Sequence, residues 1–202
     1  MIDPHNSTVE YLFKETATRV EKYASSRNEQ ARVEALSQCL KLSRALEKPE
    51  DTVLKLSLSP VLFMAVKVGH DLGIFNLLVK SGGASATEIA TAQNADPDLL
   101  RRILPSLASI GYVQERGAEF YTPSPLSYEM TREPTIQMME TLFHESQSAI
   151  TRAPDLLQIN ENQTTEDSWV GPFQYAYEAN DAIWEWLEKR PELTRFKRVG
   201  IQ

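Results

Sequence analysis

Asp96-Pro97-Asp98-Leu99-Leu100-Arg101-Arg102-Ile103-Leu104-Pro105-Ser106-Leu107-Ala108-Ser109-Ile110-Gly111, running straight into Tyr112-Val113-Gln114-Glu115-Arg116-Gly117-Ala118-Glu119-Phe120-Tyr121-Thr122, is the stretch that decides the fold. Asp96 offers an N-cap carboxylate, and Pro97 fills the first helical position, where a missing amide costs nothing. Leu99, Leu100, Ile103, Leu104, Leu107 and Ile110 then recur at helical spacing and are expected to face inward until Gly111 stops the helix. Pro105 within it predicts a kink. Beyond the glycine, two short apolar runs around Arg116-Gly117 read as a β-hairpin.

Working outward toward the N-terminus, Ser85-Ala86-Thr87-Glu88 is a capping box that starts a short helix over residues 87–93. Before it, Pro60 to Gly73 reads as an apolar helix with Val61, Leu62, Met64, Ala65 and Val68 on its buried side, and Lys48-Pro49-Glu50-Asp51 reads as a break. Three helices and a hairpin in about 60 residues make a winged-helix plan. Residues 8–47 hold no Gly or Pro and predict two amphipathic helices broken near Ser25 to Asn28. Past Pro134 a helix is expected from Ile136 to Leu157, with Pro154 kinking its end. Trp169 to Tyr177 reads as irregular and aromatic, and a last helix as residues 182–189. The expected fold class is mainly α: a winged-helix-like domain with a small hairpin at 51–131, an N-terminal helical arm at 1–50, and a helical region at 132–202.

Composition narrows the function classes. The 202 residues are 42% hydrophobic and 24% charged, and 28 Asp+Glu against 21 Lys+Arg leave a net charge of −7. A winged helix that reads DNA needs cations on its recognition helix and wing. Residues 51–131 hold six Lys/Arg against eight Asp/Glu, so no nucleic-acid partner is expected. The uncharged run Leu56 to Val66 of the central region is 11 residues, short of the roughly 20 that a membrane helix requires, and no membrane partner is expected. The N-terminus lacks a signal-peptide pattern and Cys39 stands alone, which makes the cytoplasm the expected location. With three histidines far apart and one cysteine, no metal site is expected.

Val66-Lys67-Val68-Gly69-His70-Asp71-Leu72-Gly73-Ile74-Phe75, Ser85-Ala86-Thr87-Glu88-Ile89-Ala90, the Asp96 to Leu104 segment, Gly111-Tyr112-Val113 and Tyr121-Thr122-Pro123 together resemble the N-terminal domain of plant- and fungal-type O-methyltransferases. Gly171-Pro172-Phe173, Trp184-Glu185-Trp186-Leu187 and Pro191-Glu192-Leu193-Thr194-Arg195-Phe196 resemble the helical lead into their catalytic domain. The resemblance implies an intertwined homodimer and part of a pocket for an aromatic or polyketide-like small molecule. It also implies S-adenosylmethionine as the cofactor of full-length relatives, bound on a Rossmann domain. None of the eight glycines here stands at G-x-G spacing, so no cofactor-binding residue is expected in this chain and unaided methyl transfer is not expected.

His144 is the candidate catalytic residue, because the resemblance implies a histidine in this helix against bound substrate and an imidazole exchanges hydrogen bonds or protons near neutral pH. A surface histidine beside Glu145 is the alternative. Met64, Phe143, His144, Phe173 and Tyr175 are the expected substrate-lining residues, with Tyr177, Trp184 and Trp186 in the same aromatic group; core packing explains such a group as well. His70 beside Asp71 reads as structural. Three functions stay open: a dimerisation and substrate-binding domain of a small-molecule O-methyltransferase, a repurposed stand-alone enzyme of dehydratase, cyclase or pericyclase type using His144, and a DNA-binding protein.

Overall fold

The computed structural model describes residues 4–161, 163 and 171–189, and it divides into two compact units, 1–59 and 60–202. Sequence expectations for Trp169-Val170, for Pro191 to Phe196 and for the side chain of Trp184 lie outside the described residues.

In the first unit, α1 (Pro4–Ser26) and α2 (Glu29–Leu46) pack along one another. The predicted break holds because the Asn28 side chain accepts from the Ala31 amide at 2.8 Å, capping α2. Arg19 and Lys22 of α1 both reach Glu34 of α2, at 3.1 and 3.0 Å. Among the described residues of these two helices only the small side chains Thr16, Ala31 and Ala35 are buried, while Phe13, Val33, Leu36, Leu40 and Leu46 are exposed.

The third helix, α3 (Pro49–Asp71), corrects the expectation of a break at Lys48 to Asp51 and a start at Pro60. Pro49 opens the helix because its absent amide would be unpaired there, and Glu50 and Asp51 complement the dipole of the first turn. Pro60 is accommodated inside the helix. With its start moved back, α3 is long and apolar enough, by length and composition, to cross a membrane, which the count of uncharged residues missed. Its C-terminal turns, however, lie in the protein core. The buried residues there are Ala65, Val66, Lys67 and Gly69, with Val68 partly buried; Val61 and Met64, expected inside, are exposed.

Gly73 turns the chain at φ +65 into α4 (Ile74–Ser81), and β1 (Ala84–Ser85) follows. The Ser85–Glu88 capping box forms as expected and starts α5 (Ala86–Ala92). Asp96 caps α6 (Pro97–Ser109) by accepting from the Asp98 amide at 2.8 Å. Leu100, Ile103, Leu104 and Leu107 are buried as expected, but Leu99 is exposed. The hairpin forms from β2 (Val113–Glu115) and β3 (Phe120–Pro123), and β1 adds antiparallel to β3, giving the sheet order β1-β3-β2. Ile74, Phe75, Leu78, Ile89, Val113 and Tyr121 complete one continuous core with α3 and α6. This is the mainly α architecture with a small antiparallel sheet that the sequence predicts.

After α7 (Pro125–Glu129), the long helix expected from Ile136 is α8 (Glu133–Thr141), a π turn (Leu142–Ser146) and α9 (Gln147–Ile159). The aromatic stretch expected to be irregular folds as α10 (Pro172–Tyr177), again with proline at the helix start. Its first turn is closed by the Gly171 amide donating to Gln174 Oε1 at 3.2 Å. The last described helix is α11 (Ile183–Glu188). Phe173, Trp186 and Ala149 form a second small apolar cluster.

Candidate functional site

Two helices build the site. Lys67, His70 and Asp71 stand on the last turns of α3, and Glu140 and His144 stand at an i, i+4 spacing where α8 passes into the π turn. The Lys67 ammonium lies 2.5 and 2.6 Å from the two Asp71 oxygens and 3.3 Å from Glu140 Oε1. Glu140 Oε1 is also 3.8 Å from His70 Nε2, and Glu140 Oε2 is 3.2 Å from His144 Nε2. The Lys67 and Glu140 side chains are each only 8% exposed, whereas Asp71 and His144 are each 52% exposed. A buried lysine and a buried glutamate are tolerated because each answers the other. The network therefore runs from a dry ion pair to a half-exposed imidazole.

Aromatic rings flank this network. Phe143 meets Phe63 edge to face at 5.6 Å and His144 at 5.3 Å, and Lys67 Nζ lies 5.6 Å from the centre of the Phe143 ring. The backbone of the π turn is tied from the other side: the Tyr177 hydroxyl donates to the carbonyls of His144 and Glu145, at 2.8 and 3.1 Å. A π turn widens a helix by one residue and recurs at functional sites.

The structure thus brings His144 and Phe143 together, and pairs His144 with Glu140, one turn earlier. Met64 stands on the exposed side of α3. Phe173 is buried in the second cluster, 4.8 Å from the Tyr177 ring and 5.3 Å from that of Trp186, and the Tyr175 ring lies under the Arg152 guanidinium at 4.9 Å. Lys67 and Glu140 escaped the sequence reading, and His70 was read as structural. One signal was available: a lysine inside the apolar run Ala65-Val66-Lys67-Val68 needs a buried counter-charge.

Ligand atoms of His70, Asp71 and Glu140 lie within 4.8 Å of one another, a spacing that a metal ion can bridge. The Lys67 ammonium already sits against both carboxylates, so a cation would have to displace it. The arrangement suits an internal ion pair better than a metal centre.

Capped helices around a three-stranded antiparallel sheet, with a histidine and a buried carboxylate on the flanking helix, define a mainly α domain among the described residues. Residues 54–133 match the family model of the O-methyltransferase dimerisation domain, and the chain carries that domain. It is 31% identical over 143 residues to demethylsterigmatocystin 6-O-methyltransferase of Aspergillus parasiticus, covering 70% of this chain and 37% of that protein. It is 25% identical over 166 residues to O-methyltransferase penC of Penicillium thymicola, covering 80% of this chain and 42% of that protein. A solved structure described as LepI in complex with SAM shares the fold at a TM-score of 0.79 and 24% identity, over 96% of this chain and 52% of that one. The chain spans less than half the length of these two curated relatives.

Among the described residues no Rossmann-type site for S-adenosylmethionine is formed. The strands are two to four residues long and antiparallel, and no glycine turn links a strand to a helix as such a cofactor site requires. The close approaches that glycine does allow, at Gly69 and Gly83, are taken up by the side chains of Leu107 and Phe120.

Proposed function

We propose that this chain is the dimerisation and substrate-shaping part of a small-molecule O-methyltransferase-like protein, and that it forms a homodimer through α1, α2 and the start of α3. One observation carries the reading: no large apolar side chain is buried among the described residues of the first unit, while Leu36, Leu40, Leu46, Leu54, Leu56 and Leu58 are all exposed. Large apolar side chains left exposed in this number point to a partner interface, and burying one such leucine is favourable by roughly 1.5–3 kcal/mol. The match of residues 54–133 to a dimerisation domain supports a second copy of the chain as that partner. Light scattering at low micromolar concentration tests it: a dimer of the 22.9 kDa chain is expected, and a clean monomer overturns the proposal.

Within that reading, the face formed by Phe63, Phe143 and His144 contributes to a pocket for an aromatic, polyketide-like molecule. A second reading, a repurposed enzyme that uses His144 without methyl transfer, is favoured by the half-exposed imidazole lying against a buried carboxylate. The net negative winged-helix-like region, with Arg101 engaged by Asp98 and Glu119, argues against duplex DNA as a partner.

A further inference from the structure

We propose that Glu140 is a positioning residue for His144: its carboxylate holds Nε2 of the imidazole toward the protein and leaves Nδ1 as the nitrogen offered outward. The proposal rests on the reading of His144 as facing a small molecule.

The argument starts from the acceptor-only chemistry of a carboxylate facing the Lys67 ammonium. Glu140 Oε2 has lone pairs and no proton, so a bare Nε2 at 3.2 Å would set two acceptors against each other. The proposed arrangement therefore puts the hydrogen on Nε2, and in the neutral ring Nδ1 then carries the lone pair. Glu140 is well suited to fix this choice. Its other oxygen lies between Lys67 and His70, and its side chain is almost fully buried, so it cannot swing away to follow the ring. The ring is also held at its root, because Tyr177 secures the carbonyls of the π turn from which His144 projects. A neutral His144 is then an acceptor toward whatever occupies the Phe143 face, and a donor only toward the protein.

Two measurements on the full chain, made at a pH where the imidazole is neutral, test this. In the first, long-range ¹H–¹⁵N spectra of histidine-labelled protein report the tautomer. His144, assigned by the loss of its signals in His144→Gln, should show a single Nε2–H form, and Glu140→Leu, which removes the acceptor that an amide would keep, should convert it to a mixture. A wild-type ring that is already mixed, or Nδ1–H, overturns the proposal without any variant having to fold, and so does an unchanged ring in a folded Glu140→Leu.

In the second, 1-naphthol and 1-methoxynaphthalene are titrated in parallel, since they match in aromatic area and differ in the ability to donate. Naphthol should bind about five-fold or more tightly, the scale of one hydrogen bond, and shift Nδ1, and the preference should vanish in His144→Gln. Equal binding of the two probes overturns the positioning role and leaves the small-molecule face standing. Binding of neither removes the small-molecule reading itself, and the tautomer still decides for or against Glu140.

Discussion

Replacing Lys67 by methionine isolates the energetics of the buried network. The substitution keeps length and apolar stem but deletes an ammonium that is 8% exposed and touches Asp71 at 2.5 Å and Glu140 at 3.3 Å. Asp71 is half-exposed and recovers its hydration, so the cost falls on Glu140, which stays buried and loses its contact with the ammonium. Breaking a fully buried pair costs about 3–5 kcal/mol. Its neighbour His144 is half-exposed, so the network is not buried throughout, which places this site at or below the lower end, about 2–3 kcal/mol. For a chain of this length that corresponds to a fall in Tm of roughly 5–10 °C. The double variant Lys67→Met/Glu140→Leu removes both charges and should return to within about 1 kcal/mol of the parent, a coupling of about 2 kcal/mol. Urea unfolding followed by circular dichroism, at one fixed protein concentration because dimerisation would shift the midpoint, reads all four corners of the cycle. A Lys67→Met protein as stable as the parent, or a double variant no better than the single, would refute the reasoning, since either result means that Glu140 never depended on Lys67.

Gly69→Ala sets a helix-propensity gain of about 1 kcal/mol against a new Cβ only 2.9 Å from Leu107 Cδ1 and 3.3 Å from Phe75 Cζ. Leu107 and Phe75 are both almost fully buried and cannot swing clear, so overpacking at about 1–3 kcal/mol should win; a raised urea midpoint would show that α6 has room to retreat. Ser85→Ala should cost about 1 kcal/mol by removing the cap of α5, and an unchanged midpoint would count against the capping box. Glu88 accepts from the Ser85 amide and then its hydroxyl, which hold the carboxyl below its usual value. Its stabilising effect is thus complete above the ordinary carboxylate range and lost as pH falls through the lowered value, so the stability gap between parent and Glu88→Gln should narrow from pH 7 to pH 3.5, and a gap that widens in acid would reverse the sign.

How much of this was legible in the sequence depended on how local each signal is. Asp96-Pro97 and Ser85-x-x-Glu88 specify helix starts through groups two and three residues apart, and both caps form as read. Pro49 reads as a breaker in the sequence, yet it sits at a helix start where its missing amide is harmless, as Pro172 does in the segment that reads as irregular. Strand β1 is two residues long and has no pattern of its own; it exists through pairing with β3, where Ala84 stands opposite Tyr121. In the site, the Glu140–His144 spacing of one helical turn was readable, and the partnership with Lys67, 73 residues away in sequence, was not. Local chemistry writes caps and turns, whereas a buried charge announces only that it needs a partner.

The π turn explains why the site lies where it does. Met139, just before it, belongs to the main core with α3 and α6, while Ala149, just after it, belongs to the cluster with Phe173 and Trp186. A turn with one extra residue re-aims the helix that follows it, so a single helical run serves two apolar clusters. The widened backbone is then secured by the Tyr177 hydroxyl, which spans the carbonyls of His144 and Glu145. Ahead of that clamp, Glu140 faces the buried Lys67; within the turn, Phe143 faces Phe63 and His144 remains half-exposed. The point at which the helix changes the cluster it serves is also the point at which a buried charge network reaches solvent through one imidazole. A residue in that position is held from both sides and open on the third, as the ligand-facing role proposed for His144 requires.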